Sequence, residues 1–187
     1  MDINFYNKWT VIFMEKFAKD FSSDPLDGAA VFGNAGQESG GYQSLQEKKP
    51  IVPGSRGGYG IFQWTGPRRK EFEAYCKRNG FNPSDMEANY KFFYVEMNGS
   101  EGKDGKVLER LKAAKGLDAK TEVFMKEFLR PGIPHLDSRK VWAKRALSAW
   151  ESRTGRETPP AKPEVKQPEK ESVWLRILRI LLRMFVK

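Results

Sequence analysis

The sequence predicts a mainly α domain: a helical bundle around one central helix of small residues, with a small β-hairpin region inserted after it. Three observations predict this. Aromatic residues recur every fourth position near the N-terminus, at Phe5, Trp9, Phe13, Phe17 and Phe21, the repeat of one helical face. The next helical stretch carries Gly28, Ala29, Ala30, Gly33, Ala35 and Gly36. Glycine costs a helix about 1 kcal/mol relative to alanine, so several in one helix imply neighbours packed closely on several sides. Helix start and stop signals then punctuate the chain up to residue 153.

Each element has its own signal. Ser23 or Asp24 is the expected N-cap of the central helix, with Pro25 at its first position and Gly40-Gly41 as its left-handed stop. From Tyr42 to Gly66, Pro50, Pro53-Gly54 and Gly57-Gly58 divide the chain into short extended pieces, at most a hairpin. Thr65-Gly66-Pro67 opens a third helix with Phe72, Tyr75 and Cys76 inward and Gly80 as its stop. Ser84 and Glu87 form the pattern of a capping box for a fourth, whose inner face is Tyr90, Phe93, Tyr94 and Met97. Shorter helices are expected around Val107–Ala114 and Thr121–Leu129, ending before Pro131. Asp137 is the expected cap of a last one bearing Val141, Trp142, Leu147 and Trp150.

Composition bounds the rest. The chain has 187 residues, 39% hydrophobic and 13% aromatic, enough for one domain with a sizeable core and an appendage. A net charge of +9 points to an anionic partner: nucleic acid, a lipid surface or a wall polymer. Nucleic acid is not expected, since no basic helix or RNP-like strand precedes the tail. One cysteine, Cys76, excludes an internal disulfide, and with His135 the sole histidine no metal and no cofactor are expected. Cys76 lies mid-helix, without the helix-N-terminal activation that a Cys–His amidase would need. The N-terminus lacks the pattern of a secretory signal, so synthesis in the cytoplasm is expected, with action at the periplasm or cell wall after release. A monomer is expected.

Composition changes at Thr154. Residues 154–171 read as a Pro-rich charged linker, extended and without an apolar face. Residues 172–187 read as a cationic amphipathic helix. Arg176, Arg179, Arg183 and Lys187 fall on one stripe roughly 80° wide, and the remainder, including Trp174 and Phe185, is apolar. As a helix the segment from Val173 to Lys187 is about 22 Å long, short of a bilayer's hydrocarbon core. It suits insertion into an anionic bacterial membrane interface, with its cations at headgroup level.

The chemistry centres on FGNAGQESGG followed by YGIFQWTGPRR. Glycosidic cleavage needs a proton donor that keeps its proton near neutral pH. Glu38, in the last turn of the central helix, is the candidate: the carbonyl end of the helix dipole disfavours its charge, and burial beside Tyr59, Phe62 and Trp64 would add to this. The two segments resemble the phage lysozyme group of tail-tip proteins and endolysins, with its G-N-x-x-x-E-S-G helix end and Y-G-x-x-Q-W-T followed by arginine. FLRPGIPHLDSRKVWAKRA resembles that group's closing region, so the likeness spans about residues 5 to 152. A looser likeness exists to lytic transglycosylases, in which a Glu-Ser pair precedes a Gly-Leu-Met-Gln segment.

The resemblance implies an α+β lysozyme-like catalytic domain over residues 1–153 that cleaves bacterial peptidoglycan. It implies Glu38 as general acid, Gln63 orienting a water or an N-acetyl group, and Ser39, Tyr59, Trp64, Thr65 and Arg68 as substrate-binding residues; Arg69 is a further basic candidate. Glu47, nine residues past Glu38, is the candidate second carboxylate. A one-acid mechanism stays equally open; the expected activity is a muramidase cutting between N-acetylmuramic acid and N-acetylglucosamine, with a lytic transglycosylase as the alternative. The rival classes are a non-catalytic wall-binding or virion module and an antimicrobial protein acting through its tail.

Overall fold

The computed structural model describes residues 2–156 except 51 and 104, so the tail and nearly all of the linker lie outside the described residues. The chain forms α1 (Ile3–Phe21), α2 (Pro25–Ser39), α3 (Gly66–Asn79), α4 (Met86–Asn98), α5 (Lys106–Ala113), α6 (Gly116–Phe124) and α7 (Leu136–Thr154). A five-residue π-turn, Met125–Leu129, extends α6. No described helix is long and apolar enough to cross a membrane.

Helix α2 is the centre of the bundle. Asp24 caps it reciprocally with Asp27, and residues 27–36 are buried without interruption. The glycines have the role their cost implies. A Cβ on Gly33 would stand 2.4 Å from the Ala143 Cα of α7, and one on Gly36 would stand 2.7 Å from the Trp142 ring and 2.8 Å from that of Tyr6. Backbone cannot yield as a side chain can, so a larger residue at position 33 would force α2 and α7 apart. At its N-terminal end, buried Asp27 is paired with Lys120 of α6 at 2.6 Å. Phe32 of α2 joins Phe13, Phe17, Phe62, Phe93, Phe124 and Phe128 in one aromatic core of mostly tilted and edge-on pairs.

Several expectations are corrected. Among the described residues no strand forms; the hairpin is reduced to two isolated antiparallel bridges, Gln46 with Tyr59 and Tyr59 with Trp64. The reason is local. Left-handed φ angles at Gly54, Gly57, Gly60 and Gln63 turn the chain before a ladder can extend. At Gly60, φ is +82° and a Cβ would lie 2.4 Å from the Trp64 ring. The capping box of α4 is not made: Asp85 holds the N-cap position, Ser84 bonds Asn82, and Glu87 pairs with Lys16 of α1. Tyr94 and Val141 were expected inward but are 41% and 57% exposed; α4 buries Ala88 and Phe92 along with the expected Tyr90, Phe93 and Met97, and α7 buries Ala143 and Ala146. His135, with φ 45°, rather than Asp137, precedes α7.

Candidate active site

Three charged side chains organise the motif segments, and sequence reasoning had assigned none of them that task. The first is Arg139, in the first turns of α7, only 2% exposed. Its Nε donates to the Pro134 carbonyl at 2.6 Å, Nη1 to Asn34 Oδ1 at 3.1 Å and Nη2 to Glu38 Oε1 at 2.7 Å. Asn34 and Glu38 are one helical turn apart on α2, hence on the same face. Asn34 is fully buried, its amide donating to the carbonyls of Ala30 and Thr121. The spacing within GNAGQES is therefore that of two acceptors on one face gripping one guanidinium. Ser138 adds a hydrogen bond to Gln37 across the same helix pair.

Glu38 sits in the last turn of α2, as expected, with 20% of its side chain exposed. Its hydrogen-bond partner, Arg139, is one that the sequence did not point to. Phe62 packs with Phe32, Phe93, Phe124 and Phe128. Trp64 packs against Phe72 and Phe92. The side chain that bonds Glu38 is a guanidinium rather than an aromatic ring. Its second oxygen, Oε2, makes no hydrogen bond among the described residues. Helix α2 ends there through Gly40 and Gly41, both left-handed, whose N–H groups return to the Gly36 carbonyl.

The second organiser is Glu96 of α4, 6% exposed. It accepts from Trp64 Nε1 and from Arg68 Nε and Nη2, while Arg68 Nη1 reaches the Phe128 carbonyl. Burial pushes the Glu96 carboxyl above the ordinary glutamate value, against the pull of Arg68 and of the Trp64 N–H. Trp64 and Arg68, expected at the substrate, are thus tied to a core carboxylate; Trp64 is 1% exposed. The third organiser is Arg69, 7% exposed, which donates to Glu73, to Gln46 Oε1 and to the carbonyls of Arg56 and Gly57, with Tyr59 stacked beneath its guanidinium.

The remaining candidates divide by exposure. Ser39 is fully buried; its hydroxyl donates to the Ala35 carbonyl and accepts the Tyr42 N–H, closing the turn after α2. Gln63 is half-buried and its amide nitrogen donates to the carbonyls of Ser44, Leu45 and Gly60. It thereby holds the 44–45 segment, which follows directly from the end of α2. Glu47, also half-buried, accepts the Gly58 N–H at 2.7 Å. Tyr59 is half-buried, and Thr65 is exposed at the start of α3. Cys76 is buried, its thiol pushed up to about 11 by burial, and is no nucleophile.

The model of the phage tail lysozyme family matches residues 13–150. The chain belongs to the phage tail lysozyme family. The match takes in all three organisers and every candidate named above for the catalytic body. Comparison with curated proteins gives no match. As a phage tail lysozyme, the protein is a peptidoglycan-cleaving glycosidase of lysozyme-like function, and the bacterial cell wall is where such an activity is exerted.

Proposed function

We propose that this phage tail lysozyme is a muramidase of lysozyme-like fold, cleaving the bond between N-acetylmuramic acid and N-acetylglucosamine with Glu38 as general acid. The observation that carries this reading is the carboxyl at the end of α2, held through Oε1 by a buried arginine while Oε2 makes no hydrogen bond among the described residues. A proton donor has to be fixed within hydrogen-bond reach of the leaving oxygen, and Arg139 supports such fixing from the side away from Oε2. Glu47 is the second carboxylate of the proposal and Gln63 the group that borders the water. Tyr59 and Thr65 retain exposed surface for a sugar. Ser39, Trp64 and Arg68 act in the proposal by holding the backbone beneath.

A transglycosylase reading draws support from one feature. The Gly58 N–H engages Glu47 Oε2 and the Gln63 amide engages three carbonyls, so both side chains are tied to the backbone. Mass spectrometry of fragments released from purified peptidoglycan tests both: muramic residues with reducing ends are expected. Exclusive 1,6-anhydro ends would replace hydrolysis by internal attack, and intact glycan strands would remove the proposal altogether.

The proposal includes the linker 154–171 as a tether and residues 172–187 as a segment that engages anionic membranes through Trp174, Arg176, Arg179, Arg183, Phe185 and Lys187. Deleting 172–187 is expected to abolish leakage of vesicles containing anionic lipid while digestion of purified peptidoglycan continues. Equal leakage without the segment would end that part.

A further inference from the structure

One sizeable groove of the described structure has a lining that does not include Glu38. It runs between α1 and the C-terminal half of α7, with a volume of about 840 Å³. Val11, Ile12 and Ala149 give it an apolar floor, and Lys8, Arg145 and Arg153 a cationic rim, with Glu15 the one acid among its described lining residues. Arg145 stacks on the Trp142 ring, and none of the three cations enters an ion pair among the described residues, although the surface elsewhere is rich in them. Ser148 and Ser152 offer hydroxyls. Asn7, which also lines the groove, is one of two described residues with a buried side-chain polar atom lacking a hydrogen-bond partner. Buried groups of this kind are rare enough in folded proteins to call for an explanation.

The chain's own tail is a poor occupant on charge. The lining carries three cations against one acid, and the tail brings Arg176, Arg179, Arg183 and Lys187 with no acid to answer them. The complementary ligand is small, anionic at more than one point, rich in amides and clothed in short apolar side chains. Short acidic peptides fit every term. Carboxylates meet Lys8, Arg145 and Arg153, amides meet Asn7 and the serines, and methyl groups meet the floor.

We propose that the α1–α7 groove is a second binding site, for the carboxylate-bearing peptide stems of the wall polymer, separate from the glycan-cleaving edge at Glu38. The choice among acidic peptides rests on the wall polymer being the substrate. A site of this kind would hold the protein on a cross-linked wall while successive glycan bonds are cut.

The probe is a sugar-free stem tetrapeptide titrated into the full-length protein and followed by amide chemical shifts. Shifts are expected at Lys8, Ile12, Ser148 and Ser152. The exposed pair Lys8→Gln/Arg153→Gln is expected to weaken binding roughly tenfold or more, with turnover of a short soluble glycan unchanged. Unaltered affinity in that variant overturns the site. Identical shifts with inorganic phosphate, or groove-dependent binding of anionic vesicles in place of the peptide, overturn the ligand class. Peptide binding measured in Glu38→Gln separates this inference from the catalytic one. Binding that persists while cleavage stops supports both. Binding that persists with cleavage intact removes only the catalytic assignment.

Discussion

Glu38→Gln is expected to lower the rate of fragment release from purified peptidoglycan by about 10²- to 10⁴-fold, the usual loss when a positioned general acid is removed. The change is nearly isosteric. Glutamine keeps an oxygen to accept from Arg139 Nη2, so the Asn34–Arg139 bond and the α2–α7 contact survive. What goes is the transferable proton. The variant is therefore expected to keep its near-ultraviolet dichroism and its sedimentation with insoluble peptidoglycan, with unfolding shifted only modestly. Turnover at the wild-type rate by a folded variant would move the chemistry to another carboxyl, with Glu47 the next to test. Loss of both fold and turnover would instead mean that the ion pair matters chiefly for stability, which Glu38→Asp would separate by retaining a carboxyl on a shorter arm.

Helix positions were legible because their signals are local. The four-residue aromatic repeat, the Asp24-Pro25 start and the stops at Gly40 and Gly80 all act within a turn or two of themselves. The glycines of α2 even announced close packing, though not that α7 would be the neighbour. The hairpin was misread because Pro and Gly mark an irregular segment without saying whether its pieces pair. Here the left-handed turn at Gln63 and the Gly60–Trp64 contact decide against a ladder. The site was harder still. Trp64 and Arg68 look like surface groups in a motif, and only the fold brings buried Glu96 to them from a helix some thirty positions along. Arg139 stands 101 positions from Glu38. One signal was available: Asn34 and Glu38, four apart on a helix otherwise made of small residues, ask for a shared partner on the face they have in common.

Arg139→Ala carries the second large effect, on stability and rate together. It leaves the Glu38 carboxylate and the Asn34 oxygen without their donor and frees the Pro134 carbonyl at the entrance to α7. Removing one partner of a buried ion pair costs about 3–5 kcal/mol. Because Glu38 keeps 20% exposure and water can reach it, the low end of that range is expected, read as a lower urea midpoint with unchanged slope. Activity measured where the variant is still folded separates the two roles. If Arg139 only braces α2 against α7, kcat per folded molecule should match wild type. If it holds Glu38 at the angle from which a proton passes to the glycosidic oxygen, kcat should fall while KM for a soluble glycan stays near its original value. Arg139→Lys sharpens the distinction. An ammonium keeps the charge but lacks the planar fork that reaches three acceptors in different directions, so it should recover part of the stability and little of the rate. Full recovery of kcat by lysine would mean that charge alone suffices and that the geometry of the Asn34–Arg139–Glu38 array is incidental to the reaction.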